Sequence, residues 1–166
     1  MLVTSGLRAA ELIQLHWKDI EYFEGTWTAR FIGKGEKEAE QELYEPAVDA
    51  CRAYFRKQHK REPRPEDALF WTYPDGPRKT NPMPYHSLWN RITEIGKAAR
   101  DEGIIKRDIQ FSPHLFRRSY ATLLYKSGMK IKAIQEKTRH ASIEVLVKHY
   151  IHDNEAASPY FAAVLA

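Results

Sequence analysis

With 166 residues, 43% of them hydrophobic and 29% charged, the chain is long enough for one domain with a real core and too short for two. No apolar run approaches the roughly 20 residues of a membrane span, the N-terminus has no signal-peptide pattern, and the single cysteine, Cys51, excludes an internal disulfide and a cysteine-based metal cluster. A reducing cytoplasm is the expected setting, and the net charge of +4 suits nucleic-acid binding without demanding it.

In chain order, Leu7, Ala9, Ala10, Leu12 and Leu15 predict a short helix that opens after Ser5-Gly6 and ends near Trp17. Because that helix follows Met1 almost at once, with no lead-in element, the chain is expected to be a fragment of something longer. Trp27 to Ile32 alternates and is rich in β-formers, so a strand is predicted there; Gly33-Lys34-Gly35 then turns, and Gln41 to Tyr44 returns. Pro46 marks a helix start, with Val48, Cys51, Tyr54 and Phe55 as its apolar face. Charged, proline-bearing residues 59–65 predict a surface loop, followed by a short apolar piece, Ala68 to Tyr73. Pro74-Asp75-Gly76-Pro77 is a turn and Asn81 to Pro84 irregular. Tyr85 to Arg100 fits a longer helix with Leu88, Trp89, Ile92 and Ile95 on one side. Ser112-Pro113 reads as an N-cap followed by proline at the first helical position, and that helix stops at Ser127-Gly128. Two short helices are predicted over Lys130 to Lys137 and Ile143 to Ile151, and a small apolar tail closes the chain. There is no internal repeat and no low-complexity tract. The fold class is thus α+β, mainly helical, with a small antiparallel β-sheet near the N-terminal end.

Charge is unevenly spread. Between His114 and Tyr150 stand eight lysines and arginines against two glutamates, a net +6 that leaves −2 for the rest of the chain. Either this is a solvated helical surface or it faces phosphates. Arg118, Lys130, Lys132 and Arg139 are the candidates for such contacts.

Several polar positions stand out. Arg8 begins a helix, where the electropositive N-terminus disfavours a cation unless an anion lies near. Glu11, three residues on, can hold the guanidinium in place, although for this pair in isolation a surface ion pair is the favoured reading. His114 and Arg117, also three apart, can converge on one anionic group while Leu115 and Phe116 pack inward; a histidine capped by its own helix turn is the alternative. His140 sits in a turn between two short helices, and Tyr150 lies late in the second, a common place for a packed aromatic.

The order of these features is more specific than any one of them. Thr4-Ser5-Gly6-Leu7-Arg8-Ala9-Ala10-Glu11-Leu12, a Gly-Lys-Gly hairpin, His114-x-x-Arg117-x-Ser119-x-Ala121-Thr122, and His140 ten residues before Tyr150 together resemble the tyrosine recombinases, the family of phage integrases and Xer-type and Cre-like enzymes. The resemblance runs from about Leu2 to about His152 and implies an integrase-type catalytic core over residues 1–166, without the family's separate N-terminal core-binding domain. It makes Arg8 the first catalytic arginine with Glu11 as its acidic neighbour. Lys34, or else Lys37, becomes the hairpin lysine, His114 and Arg117 the His-x-x-Arg box, His140 the second histidine and Tyr150 the nucleophile.

By the same resemblance the reaction is site-specific recombination through a 3′-phosphotyrosyl link, with no cofactor and no metal. The partner is double-stranded DNA and not a membrane; the protein is a monomer in isolation and a tetramer on DNA, nucleoid-associated in the cytoplasm. Tyr160 to Leu165 resembles the terminal segment that docks into a neighbouring protomer, or else packs on its own core. Two positions depart from the pattern. Thr138-Arg139 replaces the usual Leu-Gly before the second histidine, and the histidine–tyrosine gap is ten rather than nine, a helical rotation of roughly 100°. A non-catalytic helix-turn-helix module and a type IB topoisomerase are the rival readings.

Overall fold

The computed structural model describes residues 1–33, 35–72, 81–105 and 109–146. Its chain divides into two compact units, residues 1–90 and 91–166.

In the first unit the predicted opening helix is Ala9–Gln14, shorter than expected, and an unpredicted turn of helix leads into it. Leu2–Ser5 (α1) makes one turn, which Gly6 ends in the left-handed region at φ 65°, its N–H donating to the Leu2 carbonyl. Ala9–Gln14 (α2) starts anew from an extended Arg8, and Trp17–Asp19 forms a 3-10 turn instead of continuing it. Three antiparallel strands follow, Ile20–Phe23 (β1), Thr26–Ile32 (β2) and Glu38–Leu43 (β3), in the order β1-β2-β3. Strands β2 and β3 are those the alternation predicts. β1 was not predicted, because only Ile20 of its four residues is buried and an edge strand with one inward side chain leaves no periodic signal. Ile20, Ala29, Gln41 and Leu43 face the core. The opposite face is acidic: Glu21, Glu38, Glu40 and Glu42 are exposed there, and Arg30 reaches across the strands to Glu21 at 3.0 Å and Glu40 at 2.8 Å.

Glu45–His59 (α3) packs on the sheet through Val48 and Phe55, both fully buried. Tyr54 departs from the predicted apolar face. It is 54% exposed, lying beside Trp71 with ring centroids 5.5 Å apart, because position 54 sits roughly a third of a turn off the 48–55 line. The loop that follows is anchored: buried Asp67 accepts from Arg61 at 2.6 and 2.8 Å and from the Arg64 N–H at 2.6 Å, drawing the Arg61 guanidinium's pKa upward. Trp71–Thr72 (β4) pairs with Asn81–Pro82 (β5), correcting the irregular reading of 81–84; a two-residue ladder is too short to carry a pattern. The predicted turn at 74–77 lies outside the described residues. Leu7, Leu12, Leu15, Trp17, Leu69 and Trp71 join the sheet and α3 in one apolar core.

Tyr85–Asp101 (α4) is the predicted long helix. Leu88 and Ile92 are buried, but Ile95 is 57% exposed and Gly96 takes the next inward position. In the second unit, Pro113–Lys126 (α5) begins as its sequence dictates, with the Ser112 hydroxyl accepting from the Leu115 N–H at 3.2 Å and proline in the first turn. Ile131–Thr138 (α6) and Ile143–Leu146 (α7) complete the described part, around Ala121, Ile134 and Leu146. The chain is therefore mainly helical with a small antiparallel sheet towards its N-terminal end, as predicted.

A glycine within a helix ordinarily costs about 1 kcal/mol relative to alanine. At Gly96 the sign reverses, because a Cβ there would stand 2.6 Å from Phe111 Cγ and 2.7 Å from Phe111 Cβ. Gly96→Ala is expected to lower unfolding stability by about 1–3 kcal/mol in urea titrations, and to become neutral or stabilising in a Phe111→Ala background. A higher denaturation midpoint for Gly96→Ala alone would contradict this packing.

Candidate active site

In the first unit the site begins where α2 begins. Four N–H groups at a helix start lack intrahelical acceptors, and Glu11 answers one of them: its Oε2 accepts from the Arg8 backbone N–H at 2.8 Å. The other oxygen, Oε1, accepts from the Arg8 guanidinium at 2.7 Å. The Glu11 side chain is 5% exposed and that of Arg8 33%. Glu11 therefore differs from the surface ion-pair partner that the sequence also allowed. It is a buried carboxylate that caps a helix and holds an arginine by one nitrogen, and the arginine stays open to solvent in part.

In the second unit, α5 carries the His-x-x-Arg box. His114 is exposed on the first turn, and Arg117 lies one turn further on, only 3% exposed. The sequence treats Arg117 as a phosphate ligand and not as a core residue, yet the guanidinium is buried. Its Nη2 donates to the main-chain carbonyl of Thr138, the last residue of α6. Leu115 and Phe116 are half-buried. The small polar residues that follow have a packing reason. Ser119 and Thr122 are buried, with hydroxyls bonded back to the Leu115 and Arg118 carbonyls at 2.9 and 3.0 Å, and Ala121 meets Ile134 of α6.

The end of α6 brings the second histidine to this arginine. Arg139 adopts the left-handed conformation, φ 54°, that a glycine usually occupies after a helix. The His140 N–H then bonds the Gln135 carbonyl at 3.0 Å, and Gln135 Nε2 bonds the His140 carbonyl at 3.1 Å. Between Arg117 and His140 stands Thr138, fully buried, whose Oγ1 lies 2.5 Å from His140 Nδ1. Thr138 is the residue that sequence reasoning missed. Its signal was the departure from Leu-Gly at Thr138-Arg139.

Other predicted positions are placed less fully. Lys130, at the N-cap of α6, and Lys132 are exposed, while Arg118 and Arg139 are half-buried. Lys37 is exposed, with its carbonyl accepting from the Gly33 N–H at 2.8 Å. Lys34, Tyr150 and the tail from Tyr160 to Leu165 lie outside the described residues. Among the described residues no three of His, Cys, Asp or Glu gather as a metal-binding group, and no helix is long and apolar enough to cross a membrane.

The chain matches known proteins in sequence and in fold. The tyrosine recombinase XerA of Pyrococcus furiosus is 28% identical over 143 residues, covering 86% of this chain and 45% of that protein. A crystal structure of XerA recombinase superposes with a TM-score of 0.70 at 24% identity, over 99% of this chain and 55% of that one. The XerH site-specific recombinase bound to difH substrate, a pre-cleavage complex, gives 0.69 at 27% identity over 96% and 43% of the two chains. The chain thus spans about half the length of the relatives it matches. Residues 1–157 match the model of the phage integrase family, and the chain belongs to that family.

Proposed function

We propose that this chain is the catalytic domain of a site-specific DNA recombinase, residues 1–166, which cleaves and rejoins double-stranded DNA through Tyr150. The observation that carries this reading is the hydrogen-bonded group Arg117–Thr138–His140. It joins two histidine- and arginine-bearing motifs more than twenty residues apart in sequence, which neither a solvated helical surface nor a plain helix-turn-helix module requires. The XerH relative, bound to its difH substrate, supports a DNA partner.

In this mechanism the Tyr150 hydroxyl oxygen attacks phosphorus, the bond to the 5′ oxygen breaks, and a 3′-phosphotyrosyl link forms. A phenol with a pKa of about 10 needs a base, and His114, exposed on the first turn of α5, takes that proton. Charge that builds on the nonbridging oxygens is met by Arg8, Arg117 and His140, the role a divalent cation fills elsewhere. Lys34 returns a proton to the departing 5′ oxygen. A 5′ hydroxyl of the partner strand then attacks the link and frees Tyr150, so neither cofactor nor metal is consumed. Arg118, Lys130, Lys132 and Arg139 contact phosphates. Four copies assemble on DNA from a monomer in solution, in the nucleoid.

Three outcomes are expected. Arg8→Ala, and Arg117→Lys in preference to the cavity-forming alanine, should each slow cleavage of a nicked site by about 10²–10³ with circular dichroism unchanged; near-normal cleavage by either variant would remove that arginine from the mechanism. On a suicide substrate the covalent adduct should vanish in Tyr150→Phe and persist in Tyr160→Phe, and adduct at normal yield from Tyr150→Phe would assign the nucleophile elsewhere. Cleavage by the purified full-length protein should be indifferent to EDTA; inhibition would show that a metal shares the neutralisation of charge.

A further inference from the structure

We propose that Thr138 is a positioning residue for strand cleavage: one residue fixes the tautomer of His140 with its hydroxyl and the place of Arg117 with its carbonyl. The inference rests on the recombinase reading above and deepens it. The threonine hydroxyl has a single proton to give. Its Oγ1 lies 2.6 Å from the Ile134 carbonyl oxygen, 3.5 Å from that of Gln135 and 2.5 Å from His140 Nδ1. A carbonyl oxygen has no proton of its own, so a contact of 2.6 Å between two oxygens is attractive only with the hydroxyl proton between them. That proton therefore goes to Ile134, and the lone pair left on Oγ1 faces the ring. The imidazole must then supply the proton of the second bond, from Nδ1.

The consequence reaches the chemistry. With Nδ1–H committed to Thr138, a neutral His140 carries its lone pair on Nε2, and a protonated one presents Nε2–H as a donor. The hydroxyl accepts from both forms, more strongly from the charged one, so the ring keeps one orientation while its charge changes. Thr138 is fully buried, and water does not compete for its hydroxyl. Its carbonyl takes the Arg117 guanidinium on the other side, so a displacement of Thr138 moves both groups together. A leucine, usual at this place in the pattern that the chain resembles, has no hydroxyl to offer.

The test uses the full-length protein with ¹⁵N-labelled histidine, His140 being assigned through His140→Gln. At a pH where the ring is neutral, its nitrogen shifts should show Nδ1 protonated and Nε2 bare in the wild type and in Thr138→Ser. Thr138→Val, which keeps the shape and removes the hydroxyl, should show the Nε2–H form. In single-turnover cleavage Thr138→Val should be slower by about tenfold, the worth of one hydrogen bond, with DNA affinity unchanged and Thr138→Ser close to wild type. A wild-type ring protonated at Nε2 would overturn the proposal even if Thr138→Val fails to fold, and so would a Thr138→Val ring still protonated at Nδ1. Should the wild type cleave no DNA, the recombinase reading falls and takes Thr138's part in cleavage with it, even with the tautomer as expected.

Discussion

Burial of the Arg117 guanidinium is the constraint around which the second unit is arranged. A charged group removed from water is costly unless its donors are met by well-placed acceptors. Few acceptors inside a protein are unused, and the last carbonyls of a helix are among them. Helix α6 ends on Thr138, so the Thr138 carbonyl is such an orphan, and it lies at the negative end of the helix dipole, where a cation is favoured. The helix end and the buried charge thus satisfy each other. That solution needs α5 and α6 to approach closely, which the small Ala121 against Ile134 permits. It also needs α6 to stop at this point, which the left-handed Arg139 enforces.

The first unit solves related problems with carboxylates. Glu11 serves the start of α2 and the Arg8 guanidinium with its two oxygens. Asp67, 7% exposed, does the same for the Arg64 N–H and the Arg61 guanidinium. The two acids play one structural part, yet only Glu11 holds an arginine of the motif that resembles the recombinases. Geometry alone does not separate the arginine proposed for catalysis from a loop clasp; that proposal rests on the motif order in the sequence.

That division explains what the sequence revealed and what it hid. Strands β2 and β3 and the helix opened by Ser112 and Pro113 were legible, since caps and alternation are local signals, and the ordered motifs singled out Arg8, His114, Arg117 and His140 as site candidates. Hidden features are defined by what they pair with or pack against and not by a pattern of their own. β1 shows its nature only by pairing with β2, and Gly96 is inward only because Phe111 lies against it. Ile95 lies on the helical period of Leu88 and Ile92 and is exposed nonetheless. Thr138 belongs to the same class. Its identity was noticed as a departure from pattern, but its meaning lies in a carbonyl taken by one motif and a hydroxyl taken by another.

The outer face of the three-stranded sheet has a bearing on encounter kinetics. Among the described residues of that face Arg30 is the one cation beside Glu21, Glu38, Glu40 and Glu42, and it is shared between Glu21 and Glu40. A polyanion drifting towards that face meets repulsion over about a Debye length, some 8–10 Å at physiological salt. Productive collisions are therefore filtered by orientation before any contact forms, and the filter weakens as salt rises. The sheet thereby acts as a kinetic fence, holding polyanions off one side of the first unit without touching them.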